Sequence, residues 1–85
     1  MVEKKFVGKI SHFYPKISVA VLDLEDMLKV GDRISIEKES GSFEQVVDSM
    51  QIEHENIDEA RKGQSIGLKV NEKTRAGAKV FKIIE

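Results

Sequence analysis

Residues 46–70 read VVDSMQIEHENIDEARKGQSIGLKV, and this stretch decides the fold class. Its first third belongs to a long strand, about residues 43–54, with Val46, Met50 and Ile52 alternating onto one face. Asp48 falls on that same face, so a bulge or a barrel corner is expected there. Residues 55–62 are short, charged and without an apolar stripe, which predicts a loop with at most one helical turn. Gly63 then punctuates the chain. Residues 64–70 form a second strand with Ile66, Leu68 and Val70 inward and Gly67 relieving the crowding between them. Two alternating strands around a charged connection mark a β protein.

Outward from this stretch the same grammar continues. Gly8, Gly31, Gly41, Gly63, Gly67, Gly77 and the single Pro15 separate short segments rich in β-branched and aromatic residues. A first strand over residues 4–13 ends in the Tyr14-Pro15-Lys16 turn, where proline's fixed φ and missing donor suit a connection. The second strand, residues 17–24, carries the run Val19-Ala20-Val21-Leu22, which predicts burial on both faces or a tightly curved sheet. Residues 25–32 form a turn whose Leu28 and Val30 are expected to point back to the core. Residues 33–38 alternate, with Ile34 and Ile36 inward and Arg33, Ser35 and Glu37 outward. Ser40-Gly41-Ser42 is a hairpin connection. A last strand, residues 79–84, sets Val80, with Phe81 and Ile83, against a closing seam. Met27 and Met50 are expected to fill core gaps. Six strands with short turns predict a small closed six-stranded β-barrel of Greek-key type, because closure removes exposed edges.

Composition narrows the function classes. The 85 residues leave room for one domain, residues 1–85, with one thin core. Fourteen Lys and Arg against fifteen Asp and Glu give a net charge of −1, so the global balance does not mark a strong nucleic-acid binder. The absence of cysteine excludes disulfide scaffolds, thiolate catalysis and cysteine zinc sites. No apolar run approaches the roughly 20 residues that span a bilayer. Met1-Val2-Glu3-Lys4-Lys5 does not open a signal peptide, so a cytoplasmic, non-membrane protein is expected.

The order of these motifs resembles a known family. Met50-Gln51-Ile52, Ala60, Gly63-Gln64 and Ile66-Gly67-Leu68 are similar to domain 2 of elongation factor Tu and its relatives. Val30-Gly31-Asp32-Arg33-Ile34 resembles that family's apolar-Gly-Asp turn, and Val7-Gly8-Lys9-Ile10 its opening strand. Arg75-Ala76-Gly77-Ala78-Lys79-Val80 resembles its closing segment, with Ala78 where Asp is usual. Two groups are closer: the small stand-alone translation elongation factor-like proteins, and the C-terminal barrel of peptidase family U32, whose Ser-Met/Pro-Gln phrase is similar to Ser49-Met50-Gln51. The resemblance implies a translation-factor domain 2-like barrel, and the U32 family is associated with RNA modification. The elongation factor's tRNA-contacting residues are not carried over, because Glu53 and His54 depart from the family's residue types.

Charge is segregated along the chain. Residues 44–59 hold Glu44, Asp48, Glu53, Glu55, Asp58 and Glu59 with no Lys or Arg, whereas residues 61–82 are basic apart from Glu72. If first and last strands are neighbours, Lys5, Lys9, Lys69, Lys73, Arg75, Lys79 and Lys82, with Tyr14 for stacking, form an RNA-facing surface toward tRNA or rRNA. The same charges also suit solvated outer positions balanced across the surface. His12 and His54 lack a second ligand at metal-binding spacing, and Asp23-Leu24-Glu25-Asp26 lacks the periodicity of a calcium loop. No metal, cofactor or catalytic residue is therefore expected. There is no phosphate loop, which excludes nucleotide hydrolysis by this chain, and no nucleophile–base pair stands out. The expectation is a non-enzymatic binding module that contacts RNA. The alternative is a protein-interaction accessory subunit for a U32-like RNA-modifying or ribosome-associated enzyme, with residues 44–59 as its contact.

Overall fold

The computed structural model describes residues 3–84; residues 1, 2 and 85, including the Met1-Val2 start of the leader reading, lie outside the described residues. The chain forms β1 (Glu3–Tyr14), β2 (Val19–Leu24), β3 (Leu28–Lys29), β4 (Arg33–Lys38), β5 (Gly41–Val46), β6 (Met50–Ile52), β7 (Glu55–Ile57), β8 (Glu59–Ala60), β9 (Ser65–Lys69) and β10 (Lys79–Ile84). No helix occurs among the described residues. Eight strands make one antiparallel sheet in the order β5-β4-β10-β1-β2-β9-β6-β7, and β3 pairs with β8 apart from it.

The all-β reading stands. The expected closed ring of six strands does not match the ladders, because the sheet order is open from β5 to β7. The reason lies at Val47. Its N–H donates to Asp32 O at 2.8 Å and its carbonyl accepts from Gly31 N–H at 2.9 Å. Both backbone groups are thus committed to the turn before β4, so the single long strand expected over residues 43–54 breaks into β5 and β6. The break also resets the alternation: Phe43, Gln45, Val47 and Met50 are buried, while Val46, expected inward, is 48% exposed. The charged loop expected at residues 55–62 is built instead from β7 and β8, whose backbone groups pair with β6 and β3.

β1 is the spine of the sheet. Its first half pairs with β10 and its second half with β2, and register shifts at Phe6/Gly8 and Ile10/His12 bend it. At the first shift β2 comes so close that a Cβ on Gly8 would run into the backbone carbonyl of Asp23. The curled sheet encloses one core that includes Val7, Ile10, Leu22, Ile34, Ile36, Met50, Ile66, Leu68 and Val80, with Leu28 of β3 and Ala60 of β8 buried against it.

Where ladders stop, a buried side chain takes over. Gln45 of β5 is 6% exposed. Its Nε2 donates to Lys69 O at 2.9 Å and its Oε1 accepts from Asn71 N–H at 2.8 Å, joining β5 to the end of β9.

Several inward assignments need correction. Leu28 is buried, but Val30 is 39% exposed, since its N–H is held by Asp58 O at the surface. Met50 is buried and Met27 is exposed. Ser35 is buried although expected outward; its Oγ donates to Glu37 Oε2 at 3.3 Å, and it stands opposite Phe81. Val80 and Ile83 are buried, and Phe81 is half-buried, edge-on to Phe6 at 5.6 Å.

Two substitutions test these supports. Gly8→Ala is expected to destabilise by about 2–3 kcal/mol in urea unfolding, because the new methyl must displace backbone. Gln45→Leu keeps the volume but strands Lys69 O and Asn71 N–H, with an expected loss of about 2 kcal/mol and an unchanged urea m-value.

Candidate functional site

β1 and β10 are neighbours, as the sequence led one to expect, and they bring part of the basic set together: Lys5 faces Lys82, and Lys9 faces Lys79. The flanking strands answer that charge. Across β4-β10-β1-β2-β9 one row reads Glu37–Lys79–Lys9–Asp23–Ser65. Lys5 pairs with Asp26 at 2.9 Å, Lys82 with Asp32 at 3.3 Å, Lys4 with Glu37 at 2.8 Å and Arg75 with Glu39 at 3.6 Å. Lys73 lies in the connection before β10, its carbonyl taking the Lys38 ammonium at 2.6 Å. Lys69 sits on β9, separated from β1 by β2. The eight residues named for RNA contact therefore occupy at least three places rather than one face.

The acidic cluster near Asp23 is similarly dispersed. Asp23 accepts from Ser65 Oγ at 2.6 Å, and Asp26 accepts from the Met27 amide and pairs with Lys5.

A different feature stands out at the far end of β1. A row across β1-β2-β9-β6-β7 reads His12–Val21–Gly67–Gln51–Asn56, and beside it runs Tyr14–Val19–Lys69. Ile66 and Leu68 point inward, so the missing side chain of Gly67 faces outward. The sequence expects Gly67 to relieve crowding between Ile66 and Leu68; the structure places its open space on the outer surface, against Val19 and Gln51. The result is a groove of about 380 Å³ lined by Tyr14, Ile17, Val19, Val21, Gln51, Glu53, His54 and Gly67. Its volume is at the small end of the range for ligand-sized clefts.

Each wall has a local cause. Val19 and Val21 lie on the outer face of β2, while Ala20, Leu22 and Leu24 are buried. The apolar run expected to be buried on both faces thus has one core face and one groove face. Tyr14 is 47% exposed and Ile17 57% exposed. The His12 ring packs against Tyr14 with centroids 4.3 Å apart, and Gln51 Nε2 donates to Asn56 Oδ1 at 3.0 Å, which fixes its amide. The β6–β7 turn puts Glu53 at φ 50° and His54 at φ 67°. Hairpins of this kind favour Asn-Gly or glycine pairs, and a larger side chain in that conformation costs of order 1 kcal/mol per residue. The groove was not read from the sequence. Its signal was available in two exposed-phase valines and an apolar-Gly-apolar strand, but nothing local said that the strands carrying them would be neighbours.

The ion pairs set a pH dependence. The Lys4 ammonium holds Glu37 below its ordinary value of 4.5, and the Lys5 ammonium, followed by the Met27 amide, holds Asp26 below 3.8. Both carboxylates then contribute stability that is present above those ordinary values and lost as pH falls through the depressed ones. Lys4 is raised above 10.5, chiefly by its hydrogen bond to Glu37, so its contribution is full below 10.5 and fades at higher pH. All are surface pairs, and the effect is small. In thermal melts, Glu37→Gln should lower Tm slightly and evenly from about pH 6 to 9, with the difference from the wild type vanishing in acid.

No protein-family profile matches the chain. It is 42% identical over 80 residues to an uncharacterized protease of Methanocaldococcus jannaschii, covering 93% of this chain and 20% of that protein. A collagenase of Porphyromonas gingivalis is 32% identical over 82 residues, covering 94% of this chain and 23% of the relative. The chain thus spans about a fifth of the length of these curated relatives. Two crystal structures of the C-terminal domain of a Geobacillus thermoleovorans protein assigned as a U32 peptidase superpose with TM-scores of 0.86 and 0.85. They are 21% and 20% identical, covering 92% and 89% of this chain and 91% and 96% of the solved domains. These likenesses support the U32 half of the sequence resemblance, and none of them supports the elongation factor Tu half. The chain has the fold of that C-terminal U32 domain.

Proposed function

We propose that the chain is a non-catalytic accessory domain of U32 type, one that docks on a U32-like catalytic unit, RNA-modifying or ribosome-associated. The observation that carries this reading is the pattern of coverage: nearly the whole chain aligns with a fifth of proteins named protease and collagenase. This reading assigns the activity named for the whole relative to its other four-fifths.

Docking by protein contact is favoured over RNA contact because the basic rows are interleaved with carboxylates, while Asp48, Glu53, Glu55 and Asp58 lie exposed on β7 and the connections beside it, and Glu59 stands opposite Lys29. An exposed acidic edge repels phosphate and attracts a basic protein surface.

Co-purification decides between them. A tagged chain expressed in its own cells should retain a U32-type protein through ribonuclease and deoxyribonuclease treatment. Loss of that protein on nuclease treatment, with recovery of bound RNA from untreated samples, would replace the accessory reading with the RNA-binding one.

A further inference from the structure

We infer that the groove over Gly67 receives an extended basic segment of the partner protein, with an apolar side chain on Val19, Val21 and Tyr14 and a cation at Glu53. This rests on the accessory-domain reading and says which surface of the domain makes the contact.

The chemistry of the walls selects the occupant. The floor is the Gly67 backbone, and Ile17, Val19, Val21 and the Tyr14 ring supply apolar contact. Glu53 stands at one rim, in a stretch of sixteen residues, 44–59, without a Lys or Arg. Lys69 pairs with Val19 in the β2–β9 ladder, beside the groove rather than in its lining. An apolar trough with a carboxylate at the hairpin and an ammonium just beyond its other side binds a segment with an apolar anchor and fixes its direction, with the cation toward Glu53. A nucleic acid would instead bring phosphates against Glu53 and its acidic neighbours. The turn itself favours a binding role. Glycines at positions 53 and 54 would relax the backbone, yet the chain keeps two side chains at positive φ, and both line the groove.

The fold also supplies a clean way to fill the groove. Gly67 does not have the left-handed backbone of Gly31, Gly41, Gly63 or Gly77. A Cβ placed there meets Val19 Cγ1 at 3.3 Å and Gln51 O at 3.8 Å, so a side chain fits with a small shift of one valine and projects into the trough.

The test is an amide-resolved NMR titration of the labelled chain with a capped hexapeptide alternating arginine and leucine. The same titration is repeated with a glutamate–leucine hexapeptide and with oligoadenylate. The arginine–leucine peptide should move the amides of Val19, Val21, Gln51, His54 and Gly67, and the glutamate–leucine peptide should not. Glu53→Lys should weaken binding at least about fivefold at low salt. Gly67→Leu, checked for an otherwise native spectrum, should abolish the shifts. Three results overturn the inference: no response to the arginine–leucine peptide, a response spread over all acidic surfaces and indifferent to Gly67→Leu, or a stronger response of the same amides to oligoadenylate. A failed titration beside nuclease-resistant co-purification removes the groove and leaves the accessory role. A positive titration without co-purification does the reverse.

Discussion

An open sheet that must enclose a core needs something to hold its edges, and here the amide of Gln45 does so. β5 ends the sheet on one side, and the chain leaves it at Val47 to satisfy the turn at Gly31 and Asp32. No backbone ladder joins β5 to β9 among the described residues, yet Gln45 donates to Lys69 O and accepts from Asn71 N–H. A primary amide suits this place because it offers a donor and an acceptor side by side, as a peptide unit does. Buried polar atoms without partners are costly, so the bond matters more for what it prevents than for its own strength.

The spine strand imposes a second constraint. β1 serves β10 with one half and β2 with the other, and it does so by changing register twice. Each change re-aims the side chains that follow, which sends Val7 and Ile10 inward and leaves His12 and Tyr14 on the outer face. The bend requires β2 to pass close to Gly8, where no Cβ would fit. The groove depends on the same geometry, because the bends bring the Tyr14 end of β1 into line with β2, β9 and β6.

Electrostatics follows from strand order rather than from sequence order. Read along the chain, the acidic and basic stretches are separate. Read across the sheet, Glu37 and Asp23 bracket Lys79 and Lys9, and Asp26 and Asp32 answer Lys5 and Lys82. A surface neutralised in this way loses most of its long-range field. The charged residues of the β6–β7 turn and β7, Glu53 and Glu55, are acidic and exposed, and Glu53 lines the apolar trough.

Local sequence determined a good deal. Alternation placed Ile34, Ile36, Ile66, Leu68 and Val70 in the core, and the all-β class and the β4 boundaries followed from it. Pro15, Gly31, Gly63 and Gly77 marked turns, whereas Gly8 and Gly67 lie inside β1 and β9; the Ser49-Met50-Gln51 phrase pointed to the U32 C-terminal domain, while the motif order pointed to elongation factor Tu, which the likenesses do not support. These features were legible because a period of two and a turn's dihedral preference act within a few residues. The break at Val47, the burial of Ser35 and Gln45, the exposure of Val30 and the outward space at Gly67 were not legible, because each depends on which distant strand lies alongside. Only the tertiary structure decided that Gly67 would stand between Val21 and Gln51, and that a mixed row would replace the expected basic face. Pairing partners come from the whole chain's need to satisfy its backbone while burying one core, and no short stretch of sequence carries that information.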